Sequence, residues 1–177
     1  SIIRYRAQYL EGISRESARY HDAFSQGREA LTIAYHTVST VENPLAPREE
    51  ILQRLQEHQA AHARAELESG QCLSGPHRDD FEVSLGGLPV RTYGSQGQTR
   101  TCAISLKLAE RELMRRDTGE EPLLLLDDVL SELDPARQDF VLNQIETGQV
   151  FITCCEKEKL TKIGQVFRIE SGEILPG

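Results

Sequence analysis

The stretch Leu123-Leu124-Leu125-Leu126-Asp127-Asp128-Val129 decides how the rest of this sequence is read. Four aliphatic residues in a row are what a strand buried on both faces requires. The two carboxylates at its carboxyl end then fall at the edge of a sheet, where α/β proteins bind ligands. Adjacent acids after such a run repel one another and cost desolvation unless a cation or proton relieves them. A divalent cation on a phosphate ester supplies that relief. The plainer alternative is that Asp127 and Asp128 cap the next segment. Ser131-Glu132-Leu133-Asp134 follows at a short offset, and Pro135 opens a helix.

A second informative segment precedes it by about thirty residues: Tyr93-Gly94-Ser95-Gln96-Gly97-Gln98, directly before a helix whose face carries Cys102, Leu106, Ala109 and Leu113. Glycines there let backbone N–H groups approach an anion, and the helix N-terminus adds a favourable partial charge. An ordinary N-cap by Ser95 is the alternative for this turn taken alone.

Together these motifs resemble the ABC-type ATPases. Their signature motif, Ser-Gly-Gly-Gln in its common form, matches Ser95-Gln96-Gly97-Gln98 with Gln96 in place of the first Gly. Adding Ser74-Gly75-Pro76-His77-Arg78-Asp79-Asp80 and Arg100 narrows the resemblance to the RecF family of bacterial recombination mediators, whose heads are related to those of SMC proteins. It spans residues 72–155 closely, and residues 1–70 fit the family's second lobe loosely. The resemblance implies an α/β fold, the C-terminal lobe of an ABC/SMC-type head with part of an α-rich second lobe. Residues 1–70 fall to the α-rich lobe or arm, and 71–177 to the ATPase lobe carrying signature motif, Walker B strand and D-loop.

It further implies ATP and Mg²⁺ as cofactors, sandwiched in an ATP-dependent homodimer. Ser95, Gln96, Gly97 and Gln98 would form the nucleotide contact in trans, reaching the γ-phosphate held by the other protomer. Asp127 would hold the metal through water. Asp128, one methylene shorter than the usual Glu, would polarise the attacking water, consistent with slow turnover. Ser131 and Asp134 would lie on the loop crossing the interface. Thr153 falls where many ABC ATPases place a histidine, and an ordinary strand residue is an equal alternative. Arg100 is a phosphate-site or helix-stabilising residue; His77 and Arg78 are candidates for contact with DNA, a partner or the other lobe, with a turn in which Asp79 and Asp80 balance Arg78 as an equal alternative. The family role is that of a cytoplasmic, slow DNA-dependent ATPase clamp in DNA replication, gap repair and RecA loading (recombination and the SOS response), with gapped or junction DNA and RecR as partners.

No Gly is followed by Lys, so no GxxxxGK[ST] phosphate loop is present. The chain starts at Ser1, and its only methionine is Met114. Both point to a C-terminal fragment that by itself does not hydrolyse ATP.

Outward from these motifs, Ile3, Ala7, Leu10 and Ser14 follow helical spacing up to Gly27, and Ala30–Val38 reads as a strand. A second helix runs from Pro47, in its first turn, to Glu68, with Gly70 as its stop. Phe81–Leu85, Gly86-Gly87 and Leu88–Tyr93 read as a β-hairpin. A strand at Val150–Thr153 and a terminal hairpin across Ser171-Gly172 complete the pattern, with a domain boundary near residue 70.

Among 177 residues, 28 Asp+Glu against 20 Lys+Arg give a net charge of −8, which argues against a small basic DNA-binding module. A local contact through Arg4, Arg6, Arg15, Arg19 and Arg28 stays open. The longest aliphatic run is four residues, far from the roughly 20 that span a bilayer. Four cysteines without CxxC spacing read as reduced thiols. His58 and His62 lack the intervening Glu of a zinc protease and read as a solvated helix face. Alternatives are the head of another SMC-like or ABC-type ATPase, including a transporter subunit, and a non-catalytic interaction module. Asp128 in place of Glu, Gln96 in place of Gly and Thr153 in place of His count against the transporter; the intact acids count against the module.

Overall fold

In a computed structural model the described residues are 1–130, 133–143, 148–155 and 164–176. They fall into two compact units, Ser1–Leu113 and Met114–Gly177.

The first unit opens with helix α1, Ile2–Ser25. Its buried face is Ile3, Ala7, Ile13, Ser17, His21 and Phe24, the three-to-four-residue spacing that puts side chains on one stripe. Glu16 is also buried, held by Arg19 at 3.0 Å. Gln26 (φ 55°) and Gly27 (φ 75°) turn the chain back in the left-handed region. Strand β1, Leu31–His36, follows. Helix α2, Arg48–Ser69, begins one residue after Pro47, with Glu49 and Glu50 in its first turn where the helix dipole favours acids. A 3₁₀ turn at Pro76–Arg78 leads into β2, Asp80–Leu85.

β1 and β2 pair antiparallel from Leu31↔Leu85 to His36↔Asp80. Gly86 (φ 56°) and Gly87 (φ 82°) close the expected hairpin. Its return strand is shorter than expected: β3 is only Leu88–Pro89, and Val90–Tyr93 forms the short helix α3. Pro89 has no N–H to donate to a ladder, so pairing stops there. Helix α4, Gln96–Thr118, completes the unit and continues past it.

Two apolar clusters sit in this unit. Ile3, Val38, Val41, Ala46 and Ile51 meet between α1, the loop after β1 and α2. Leu31, Val90 and Cys102 meet under the sheet, against Ile33, Val83 and Leu85. Gly12 allows α1 close to α4, since a Cβ there would lie 3.2 Å from Leu113 Cδ1.

The expected boundary near residue 70 does not separate compact units. β1 lies before it and β2 after it, and the two share one sheet.

In the second unit, β4 (Leu124–Asp127) pairs in parallel with β5 (Val150–Thr153). Helix α5, Pro135–Asn143, lies in the crossover that parallel strands need. Within this chain the both-faces-buried expectation for β4 is met on one face only: Leu124 and Leu126 are buried, whereas Leu125 is 66% exposed. Side chains alternate across a strand, and one face here is covered. β6 (Phe167–Glu170) and β7 (Glu173–Pro176) form the terminal hairpin, turned by Ser171 and Gly172.

One polar tie anchors the 3₁₀ turn. The Asp79 side chain is 1% exposed; its Oδ2 accepts from Tyr35 Oη at 2.5 Å and from Arg6 Nη1 at 3.1 Å. Arg6 also donates to the Pro76 carbonyl. Asp79 is thus balanced by Arg6 rather than by its neighbour Arg78. Burial, then the Asp79 hydrogen bond and charge, push the Tyr35 phenol well above its usual range. The unfolded chain therefore releases this proton near pH 10 while the folded chain keeps it, and stability falls as pH rises above about 10. In the full-length protein, Tyr35→Phe should cost about 1–3 kcal/mol at pH 7.5 and flatten that alkaline loss. Denaturant unfolding at pH 7.5 and 10.5 reads both, and an unchanged alkaline slope would refute the account.

Candidate functional site

Two groups of predicted site residues are built in different ways, one in each unit. In the first, Gly94 N–H donates to the Val90 carbonyl at 2.9 Å. A Cβ on Gly94 would lie 2.6 Å from that same oxygen, so only glycine fits between α3 and α4. Ser95 then caps α4. Its Oγ accepts from Gln98 N–H at 3.2 Å, and Gln98 Oε1 accepts from Ser95 N–H at 2.9 Å. This is the reciprocal capping box, with Gln at the third helical position. Ser95 and Gln96 are exposed, and Gly97 and Gln98 half-buried.

The cap leaves the Ser95 hydroxyl proton available, because its oxygen acts as the acceptor in that bond. With the first-turn N–H groups it forms a donor surface suited to an anion. This geometry is the N-cap reading of Ser95, and it leaves the donor surface that the site reading requires.

Gln98 is held from its other end as well. Its Nε2 donates to Glu29 Oε1 at 2.8 Å, and Glu29 Oε2 lies 3.0 Å from His21 Nε2. His21 is fully buried, with its Nδ1 3.9 Å from Cys102 Sγ. Burial, and secondarily the Glu29 charge, push the Cys102 thiol up to about 12. Glu29 and His21 carry no local sequence signal, lying 69 residues from Gln98 and 81 from Cys102 respectively.

In the second unit, the carboxyl end of β4 is organised by its neighbour strand. Thr153 is the register partner of Asp127. Its Oγ1 donates to Asp127 Oδ1 at 2.5 Å and accepts from Asp128 N–H at 2.9 Å. Asp128 has φ 49°, a left-handed conformation that Asp tolerates better than most residues. Both carboxylates are exposed, so water eases the repulsion that their adjacency creates. No group of three or more His, Cys, Asp or Glu side chains that could hold a metal occurs among the described residues. A Mg²⁺ ion commonly keeps several waters and takes one or two carboxylates plus phosphate oxygens, and exposed Asp127 fits that pattern.

Asp134 caps α5: its Oδ1 accepts from Arg137 N–H at 3.0 Å, and Gln138 N–H donates to its carbonyl at 3.0 Å. Buried Gln138 donates to the carbonyls of Leu130 and Leu133. Ser131 lies outside the described residues. His77 Nε2 sits 2.9 Å from the Cys72 carbonyl, and Arg78 is exposed. Among the N-terminal arginines, Arg6 is tied to Asp79, Arg15 and Arg19 face Glu16, and Arg28 donates to the Ser25 carbonyl. His58 is buried rather than solvated, with Nδ1 2.7 Å from Ser74 Oγ and its ring stacked on His62.

Known proteins match this arrangement over nearly the whole chain. The DNA replication and repair protein RecF of Lysinibacillus sphaericus is 42% identical over 98% of the chain and 48% of its own length. That of Bacillus subtilis is 41% identical with the same coverage. The chain belongs to the RecF family. A solved structure of the recombination mediator RecF-ATP in the RecFOR pathway superposes with a TM-score of 0.84 at 35% identity, covering 99% of this chain and 46% of that one. No family model matches the chain. The α/β fold is thus that of RecF, and the chain spans about half the length of the RecF relatives it matches. No helix among the described residues is long and apolar enough to cross a membrane.

The register of Thr153 opposite Asp127 gives its hydroxyl a definite task at the strand end. Thr153→Val removes the donor to Asp127 and the acceptor for Asp128 N–H, and should destabilise the strand end by about 1 kcal/mol. Thr153→Ser should keep both bonds. Amide exchange at Asp128 in the full-length protein distinguishes the two, with acceleration expected for Val alone.

Proposed function

We propose that this chain is the C-terminal part of a RecF-type ATPase and that the full-length protein is an ATP-dependent dimeric clamp on DNA. The observation that carries the reading is the capped opening of α4. There Ser95, Gln96, Gly97 and Gln98 present a hydroxyl donor and helix N-terminal N–H groups at the place of the signature motif. The similar RecF structure is described with ATP, which supports the same ligand here.

In this reading Ser95 and Gln98 contact the γ-phosphate bound by the other protomer, and a helix N-terminus stabilises its negative charge. Asp127 holds Mg²⁺ through water, with Thr153 fixing one of its oxygens. Mg²⁺ supplies charge neutralisation on the phosphate oxygens. Asp128 orients the water for in-line attack, and its short side chain suits slow turnover. Asp134 and Ser131 stand at the interface loop. Closure on ATP and opening after hydrolysis form a population switch driven by γ-phosphate contacts. DNA gaps or junctions and RecR are the partners, and cytoplasmic DNA repair is the setting. DNA phosphate contacts from exposed arginines make that binding steeply salt-dependent.

Sedimentation of the full-length protein tests the sandwich. ATP should dimerise the wild type and leave Ser95→Arg monomeric, because Arg fills the trans phosphate contact. Dimerisation of both, or of neither, would remove the support for a trans site. Asp128→Asn should retain bound ATP through a desalting step and lose turnover; unchanged turnover would exclude Asp128 as the water-orienting group.

A further inference from the structure

The signature turn does not stand alone. Gln98 has one amide group and two tasks: Oε1 closes the capping box on Ser95 N–H, and Nε2 reaches Glu29 Oε1. An amide can be turned over by 180°, which would present Nε2 to the Ser95 N–H and open the cap. What prevents this is the acceptor on the far side. A carboxylate takes hydrogen bonds and cannot give them, so Glu29 admits only the Nε2-facing orientation.

Glu29 is itself held. Its backbone N–H donates to Ser25 Oγ at 3.3 Å, just after the left-handed turn at Gln26 and Gly27. Its second oxygen lies 3.0 Å from His21 Nε2. His21 is fully buried, so its ring exchanges no partner with water. The Cys102 thiol stays protonated at neutral pH and faces Nδ1. The consistent assignment is then a directed row: the Cys102 thiol faces Nδ1 as donor, His21 Nε2–H donates to Glu29, and Gln98 Nε2–H donates to Glu29 from the opposite side. The row ties the C-terminal part of α1 to the first turn of α4.

We infer that Glu29, oriented by buried His21, is a positioning residue for the signature turn: it fixes the Gln98 amide so that the cap closes and the Ser95 hydroxyl proton is left to face a phosphate. This deepens the proposed trans nucleotide contact and rests on it for its functional consequence. The geometric part, from Glu29 to the cap, is independent of nucleotide. Glu29→Gln keeps the volume but can present its own NH₂ to Gln98, so the amide orientation is no longer enforced.

The test uses the full-length protein in two arms. Without nucleotide, amide exchange at Ser95 should speed up roughly tenfold in Glu29→Gln, with the thermal midpoint nearly unchanged. Unaltered Ser95 exchange would overturn the proposal whatever ATP does. With nucleotide, Glu29→Gln should need about tenfold more ATP for half-maximal dimerisation. Gln98→Ala should shift the same midpoint, and adding Glu29→Gln to Gln98→Ala should shift it no further. A merely structural Glu29 would give additive shifts and a lowered thermal midpoint, which would also overturn the proposal. If the wild type fails to dimerise with ATP, the sandwich reading falls, while the exchange arm still decides whether Glu29 sets the cap.

Discussion

The pairing of Leu31–His36 with Asp80–Leu85 is the contact on which the first unit depends, because it joins segments some fifty residues apart in sequence. It places β1 beside the strand whose hairpin leads through Pro89 into α3 and the Gly94 turn. Leu31, Val90 and Cys102 pack together only because that pairing exists. The same pairing sets Tyr35 near the chain entering β2, where Asp79 completes the tie to Arg6 on α1. A one-residue slip of β1 would turn its own members of these contacts, Leu31 and Tyr35, to the opposite face of the sheet. The register is therefore specified by the packed cluster and by the buried carboxylate at opposite ends of the strand pair.

The local chemistry of this fold was legible where the deciding residues are neighbours in the chain. Gly86-Gly87 marks the turn, Gly70 ends α2, and Ser95 with Gln98 three residues later spells a capping box. Legibility failed where a tertiary fact decides. Four leucines mark a strand with two apolar faces, of which this chain, about half the length of its relatives, covers only one and leaves Leu125 exposed. Leu88–Tyr93 has the composition of a strand, yet Pro89 ends its ladder and the chain coils into α3. The boundary near residue 70 follows a real change in composition, but hydrogen bonds between β1 and β2 cross it.

The candidate site divides along the same line. Ser95, Gln98, Asp127 and Asp128 are visible because each belongs to a short motif. The residues that hold them are not: Glu29 and His21 reach Gln98 from α1 and the turn after it, and Thr153 reaches the acids across a parallel ladder. A charge or hydroxyl at those positions has no local periodicity to betray it. Asp134 is the converse case, a motif residue whose structure shows a helix cap, which is compatible with a second contact through its exposed carboxylate.

The two motifs are stabilised by opposite means, and this bears on how each can respond to a ligand. The acids sit exposed at a strand end, with one oxygen of Asp127 and the backbone of Asp128 shared by a single hydroxyl. Such a site can exchange water and adjust to an ion at small cost, since hydrated carboxylates lose little on rearrangement. The Ser95–Gln98 turn is backed by a buried histidine and a carboxylate whose bonds run in one direction. Turning over one amide there breaks two bonds at once, one of them to a charged group, which is the stronger kind. The turn is therefore ordered within the protein itself, and a preorganised donor surface can take an anion without that additional entropic cost. The glycine at position 94 belongs to the same arrangement, because the close approach of α3 to α4 holds the cap in place and leaves no room for a side chain.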